Sequence, residues 1–200
     1  MKLRSILLVL IPVTIFSSCT VLSFYPLYTE NELIKDDRIL GEWQTTSEKM
    51  NTEDTIRWSI SFIQNQDNTN KYTYTLNLYH QKEETDSAKF LLHIVELDGN
   101  TYLDFFPEEG KVNNDFFTIH LIPVHTFAKL EIGDELKISW FDSDWLEKLF
   151  ENNKIRMKHE KTKDVTLLTA KPQELQKFII KYANDEKAYS EYMNYTLSKM

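Results

Sequence analysis

Apolar and polar residues alternate through the first half of the chain. Ile56, Trp58, Ile60 and Phe62 interleave with Arg57, Ser59 and Ser61, and Tyr72, Tyr74, Leu76 and Leu78 repeat the pattern against Thr73, Thr75 and Asn77. A period of two over such lengths predicts half-buried strands. Arg38–Thr45 predicts an earlier strand, and Lys89–Leu97 is an apolar run broken by His93 and Glu96. Asp98-Gly99-Asn100 then leads directly into the β-rich run Thr101–Phe106, the pattern of a tight hairpin. Asp115–Ile132 is the longest β-rich stretch. Pro123 inside it has no N–H to give a ladder, which predicts a bulge, a bend or an edge there. Gly133-Asp134 turns the chain into Glu135–Trp140.

The period then changes. Trp145, Leu146, Leu149 and Phe150 fall on one helical face, with Asp142, Ser143 or Asp144 available as N-cap and Asn152-Asn153 closing the helix. Lys154–Glu160 and Asp164–Thr169 predict two further strands. Pro172 suits the first turn of a second helix whose apolar stripe is Leu175, Phe178, Ile179 and Tyr182. Residues 185–200 extend this helix or fray. Eight or nine short strands joined by polar loops predict a barrel or a sandwich, and closure removes exposed edges. The expected fold class is therefore mainly β (α+β): an antiparallel barrel with a short helix before the last strands and a C-terminal helix.

Composition narrows the function more than the fold. The chain has 200 residues, 42% apolar and 27% charged, which is ordinary for one globular domain. Its 31 acidic side chains against 23 basic ones give a net charge of −8, which argues against binding the phosphate backbone of a nucleic acid. The only cysteine, Cys19, excludes an internal disulfide framework and a cysteine-rich zinc module.

Cys19 also ends a distinctive leader. Met1-Lys2-Leu3-Arg4 is basic, Ile6–Phe16 is apolar and shorter than the ~20 residues that span a bilayer, and Ser17-Ser18 supplies small residues. Phe16-Ser17-Ser18-Cys19 resembles the bacterial lipobox, with Phe16 in the place usually held by Leu. The resemblance implies a leader cut before Cys19 and a thiol carrying diacylglycerol with palmitate-type acyl chains. Such a cut removes Lys2 and Arg4 and leaves 21 basic side chains against 31 acidic ones. An acidic body is repelled by an anionic bilayer, so anchoring falls to the lipid. Thr20, by resemblance to bacterial sorting rules, points to the outer membrane, with the protein periplasm-facing or surface-exposed. The expected organisation is a signal peptide (1–18), a lipidated tether (19–37), a barrel domain (38–170) and a C-terminal helical segment (171–200). The tether's Val21–Tyr28 run is too apolar for a purely flexible linker.

Leu40-Gly41-Glu42-Trp43 is similar to the Gly-x-Trp opening of lipocalin-type barrels, in which the tryptophan plugs the closed end. More of the chain resembles an uncharacterised group of bacterial lipocalin-like lipoproteins. The matching pieces are Tyr25–Glu30, Leu40–Trp43, Tyr102-Leu103-Asp104, His120–Phe127, Asp144-Trp145-Leu146 and Leu168-Thr169-Ala170. This resemblance implies a lipocalin-like β fold and supplies no reaction, ligand or catalytic residue.

The candidate ligand-binding residues are His120, His125 and Asp104. In an unbroken strand His120 and His125 point to opposite faces, and a bulge at Pro123 would bring them to one. His93 would then add a third imidazole, a set suited to zinc. The alternative is structural: His120 hydrogen-bonded on an apolar face, and His125 bracing the bend. Asp104 shares a face with Tyr102 and Phe106, where a carboxylate needs a partner. It serves either as a raised-pKa base or ligand group, or as an acceptor for loop amides or a histidine. No nucleophile elbow or phosphate-cradling loop is present, and no cofactor or metal is expected. Ten Tyr, twelve Phe and four Trp either line a pocket for a small apolar ligand or fill a solid core. Tyr189, Tyr192 and Tyr195 suit a strip for a protein partner. The leading expectation is a non-enzymatic module of the cell envelope that binds a small ligand or a partner. The alternatives are a hydrolase or metal-dependent enzyme using His120, His125, His93 and Asp104, and a structural envelope protein.

Overall fold

The structure, a computed structural model, describes residues 20–45, 55–63, 71–80, 87–108, 121–163 and 165–200. An N-terminal segment carries two short strands, β1 (Leu22–Ser23) and β2 (Leu33–Ile34). There follow β3 (Gly41–Thr45), β4 (Ile56–Phe62), β5 (Thr73–His80), β6 (Ser87–Leu97), β7 (Asn100–Pro107), β8 (His125–Ile132) and β9 (Glu135–Phe141). Then come α1 (Ser143–Glu151), β10 (His159–Lys161), β11 (Thr166–Leu168), α2 (Pro172–Tyr182) and β12 (Tyr189–Lys199).

Strands β3 to β9 pair antiparallel in chain order, and β12 lies between β9 and β3. Eight antiparallel strands thus close into a barrel. The β6–β7 hairpin turns on Asp98 and Gly99, with φ of 49° and 74°. Two successive positive φ values match the right-handed twist of the flanking strands, and the Asp-Gly pair tolerates them. Asp142 caps α1, its carboxylate accepting from the Trp145 N–H at 2.7 Å.

The end of the chain differs from expectation. The helix expected over 171–200 stops at Tyr182. One 3-10 turn (Glu186–Ala188) follows, and Tyr189–Lys199 is the strand that closes the barrel. Left unpaired, β3 and β9 would each present an open edge, and pairing both outweighs weak local preference. The division at 170/171 therefore does not separate two units, since β12 belongs to the barrel. The long β-rich stretch is also shorter than its pattern: β8 begins at His125, residues 121–124 around Pro123 form no strand, and residues 115–120 lie outside the described residues. Nor is the proposed tyrosine strip a single surface. Tyr189 packs on Phe141 with ring centroids 4.8 Å apart, Tyr195 packs on Trp140 at 5.4 Å, and only Tyr192 is exposed.

Two apolar cores share one wall. The lumen is packed with Trp43, Trp58, Leu76, Ile94, Phe105 and Trp140 among others. On the outside, Val95, Leu97, Tyr102, Phe127 and Phe141 meet Val21 and Leu27 of the N-terminal segment and the apolar faces of α1 and α2. Strands β6 and β7 are consequently buried on both faces over Leu92–Val95 and Tyr102–Phe105. That is why Lys89–Leu97 reads as an apolar run and not as an alternation.

Candidate functional site

A row of polar side chains crosses the outer wall of the barrel at one level. Thr73 of β5 lies directly across from His93 of β6, and His93 directly across from Asp104 of β7. β8 places Phe127 opposite Asp104, so His125, two residues earlier, shares the same face on a diagonal. Apolar neighbours on these strands, Leu92, Leu103 and Ala128, point into the lumen. Alternation alone therefore sets the polar row outside.

This outer row is nonetheless buried: Asp104 is 0% exposed, and His93 and His125 are 8% exposed. The cover is the N-terminal segment. Strand β2 pairs with β6, and the Glu96 N–H donates to the Glu32 carbonyl at 2.9 Å. Gln176 of α2 holds the segment from the other side, donating to the Leu27 carbonyl at 3.1 Å and to Glu32 Oε2 at 3.0 Å.

Both oxygens of Asp104 are engaged. Oδ1 lies 2.7 Å from His125 Nδ1, and Oδ2 accepts from the Leu27 N–H at 2.8 Å. A carboxylate only accepts, so His125 contributes the hydrogen from Nδ1. The His125 ring lies over Phe106 at 4.6 Å. His93 stacks against Tyr28 at 4.5 Å, with its Nε2 3.0 Å from Thr73 Oγ1 and 3.4 Å from the Tyr28 hydroxyl. Its Nδ1 is buried with no partner among the described residues.

The electrostatics follow from burial. Desolvation lowers the His93 pKa below its ordinary value; the Asp104 carboxylate opposes this and His125 adds to it. Desolvation also raises the Tyr28 hydroxyl, and the nearby negative charge of Asp104 adds to the rise. The row thus holds a fully committed carboxylate beside an imidazole that the fold keeps neutral.

Of the sequence candidates, Asp104 and His125 come together, and His93 joins their row. They face away from the lumen and do not line the barrel interior. His120 and Cys19 lie outside the described residues. Among the described residues no three His, Cys, Asp or Glu side chains are placed to hold a metal ion. Sequence reasoning missed Tyr28, Thr73 and the Leu27 amide as participants. The available signal was the apolar character of Tyr25-Pro26-Leu27-Tyr28, which argues for packing but names no partner.

The neutral His93 has a measurable consequence. The groups facing it are Tyr28, Thr73, Asp104 and His125. Because its folded pKa is lowered, the unfolded chain takes up protons first as pH falls through about 6.5. Its contribution to stability is fully present above that pH and declines below it. Denaturant midpoints at pH 7.5 and 5.5 are expected to fall with acidity, and His93→Gln is expected to flatten that slope. An equal slope in the variant would place the pH dependence elsewhere.

In comparisons with known proteins, the chain matches no family model, no curated protein and no solved structure.

Proposed function

We propose that this chain is a lipid-anchored lipoprotein of the bacterial cell envelope. In this reading a lipocalin-like barrel is a solid scaffold, and the protein works without catalysis by binding at its outer surface. The observation that supports the non-carrier reading is a cluster of aromatic rings packed inside the barrel. Phe105 stacks on Trp140 at 5.3 Å, and Trp58 meets both rings edge-on, at 6.0 and 6.1 Å. A carrier needs that space for its ligand.

Lipid anchoring rests on the basic, apolar and Ser17-Ser18-Cys19 pattern of the leader. Thr20 follows Cys19 directly, and β1 begins two residues later on the outer wall. A lipid on Cys19 would therefore hold the barrel close to its membrane, without a long flexible arm. The lipocalin-like reading is supported by the closed eight-stranded barrel and by Trp43. Its indole N–H donates to the Ile39 carbonyl at 2.8 Å, and the Lys199 ammonium sits 5.4 Å from its ring.

Catalysis by Asp104, His125 and His93 has less support. Ser23, across from His125, donates its hydroxyl to the Tyr25 carbonyl at 2.7 Å, and both Asp104 oxygens are occupied. The arrangement does what a clamp does.

Membrane fractionation of a bacterial host tests the anchor. The wild-type chain is expected in the membrane fraction after a high-salt wash, labelled by radioactive palmitate and starting at Cys19. Cys19→Ser is expected to lose the label and enter the soluble fraction. A wild-type chain that keeps residues 1–18, or carries no label, would overturn the lipoprotein reading.

A further inference from the structure

At the margin of the outer core, the irregular stretch 154–157 and one face of α2 border an open cleft of about 340 Å³. The α2 positions Glu174, Lys177, Phe178, Lys181 and Tyr182 recur at three- and four-residue spacing, so they form one stripe along the helix. Met157 and Phe178 form a buried floor, with Ile155 and Tyr182 half-buried beside them. Around this floor stand Lys154, Arg156, Lys177 and Lys181, all exposed, against the single carboxylate of Glu174.

Two features set this cleft apart. The protein carries a net charge of −8, yet four cationic residues line this cleft. None of the four makes an ion pair among the described residues, whereas Lys35, Lys89 and Lys161 do. Like charges four apart on a helix, as with Lys177 and Lys181, repel and destabilise it slightly. An anion in the cleft would relieve that repulsion. The rings and methylenes of the floor would cover an apolar body joined to the anion, and 340 Å³ lies within the roughly 300–1,000 Å³ of small-molecule sites.

We infer that the cleft between 154–157 and α2 binds a small soluble amphiphile bearing a carboxylate or phosphate on an apolar body. Its anionic head would meet Lys154, Arg156, Lys177 and Lys181, and its apolar part would lie on Met157, Phe178 and Tyr182. This deepens the reading of the protein as a surface-binding module, and rests on it.

Trp145 provides a built-in reporter, since its ring lies 5.0 Å from Tyr182 and 5.8 Å from Phe178. Soluble Cys19→Ser protein is titrated with laurate and with dodecyl phosphate, both kept monomeric. Tryptophan fluorescence and calorimetry follow binding, and dodecanol and dodecyltrimethylammonium serve as neutral and cationic controls. The two anions are expected to bind, more weakly as salt rises, and the controls at least tenfold more weakly. Lys177→Glu and Lys181→Glu, both at exposed positions, are each expected to weaken anion binding about tenfold or more. Lys154→Ala with Arg156→Ala tests the other wall and leaves the helix untouched.

Equal affinity for dodecanol, or full binding by both charge-reversed variants, would overturn the inference. No binding of either anion overturns it while leaving the anchored scaffold intact. Binding insensitive to the cleft variants but abolished by Ile94→Trp, a side chain directed into the lumen, would overturn the solid-scaffold reading as well. A third arm uses vesicles of phosphatidylglycerol. Binding to vesicles that needs Lys177 and Lys181, without binding to monomers, would reassign the cleft to a membrane surface.

Discussion

Phe105→Ala is expected to cost about 3–5 kcal/mol of folding free energy. Phe105 is 4% exposed and sits at the centre of the lumen's ring cluster, stacked on Trp140 and edge-on to Trp58 and Phe90. Its neighbours are strand side chains whose backbones are pinned on both sides by ladders, so they have little freedom to collapse into the space left behind. The loss then combines the transfer free energy of the ring with the cavity it leaves. Urea unfolding followed by fluorescence and by far-ultraviolet dichroism measures it. The same variant is expected to gain something: a dry apolar hole of this kind accepts benzene-sized guests. Trp58→Phe supplies the contrast. The Trp58 indole N–H is buried without a partner among the described residues, so the smaller ring removes an unsatisfied donor along with some contact area. Its cost is expected to stay below about 2 kcal/mol. A cost under about 1 kcal/mol for Phe105→Ala would mean that the ring borders open space, and the ligand-carrier reading would return.

Much of this architecture was legible in the pattern of residues, and the exceptions have physical causes. Strand β4 announced itself because one face is buried and the other is not. The Asp98-Gly99 turn was legible because few residues tolerate its two positive φ values, and the Gly133-Asp134 turn because both residue types favour turns. The helix start was legible because a side-chain acceptor is needed there, though Asp142, Ser143 and Asp144 were equal candidates and the fold uses Asp142. What misled was β12. Tyr189 faces the outer core, Tyr195 and Leu197 face the lumen, and a register shift between Tyr189 and Asn194 breaks the alternation that would have marked a strand. A bulge moves the phase of the pattern by one residue, and no local rule marks where. Closure is also a property of the whole sheet, and the residues near 190 carry no local sign that two distant edges await them.

The polar row was half legible for a similar reason. A carboxylate among aromatics, as in Tyr102-Leu103-Asp104-Phe105-Phe106, demands a partner, and a loop amide or a histidine was foreseeable. That both act at once, Leu27 on one oxygen and His125 on the other, depends on contacts 77 and 21 residues apart. Such partnerships are set by register between strands, and register is decided by the sum of all pairs. That the segment would pack was legible in its apolar Val21–Tyr28 run, but where it would pack was not. The segment after Cys19 behaves as part of the domain, contributing β1, β2 and the Leu27 side chain to the outer core.

Asp104 should accordingly govern how tightly that segment is held. Asp104→Ala leaves the Leu27 N–H and His125 Nδ1 without their acceptor in a region nearly closed to water. Leaving these two buried donors unsatisfied costs about 1–3 kcal/mol for each. Asp104→Asn keeps an oxygen for one of the two donors and turns an N–H₂ toward the other, so a smaller loss of about 1–3 kcal/mol is expected. The effect should also be local. In Asp104→Ala the Leu27 amide is expected to exchange its hydrogen far faster than the lumen strand amides, and proteolysis is expected to cut within residues 24–34 before the barrel unfolds. His125→Ala should be strongly non-additive with Asp104→Ala, because each removes the same contact. A double-mutant cycle measures that coupling. If the two losses simply add, and residues 24–34 stay protected in Asp104→Ala, then the segment is held by Leu27 packing and by Gln176 alone, and the carboxylate is not its clamp.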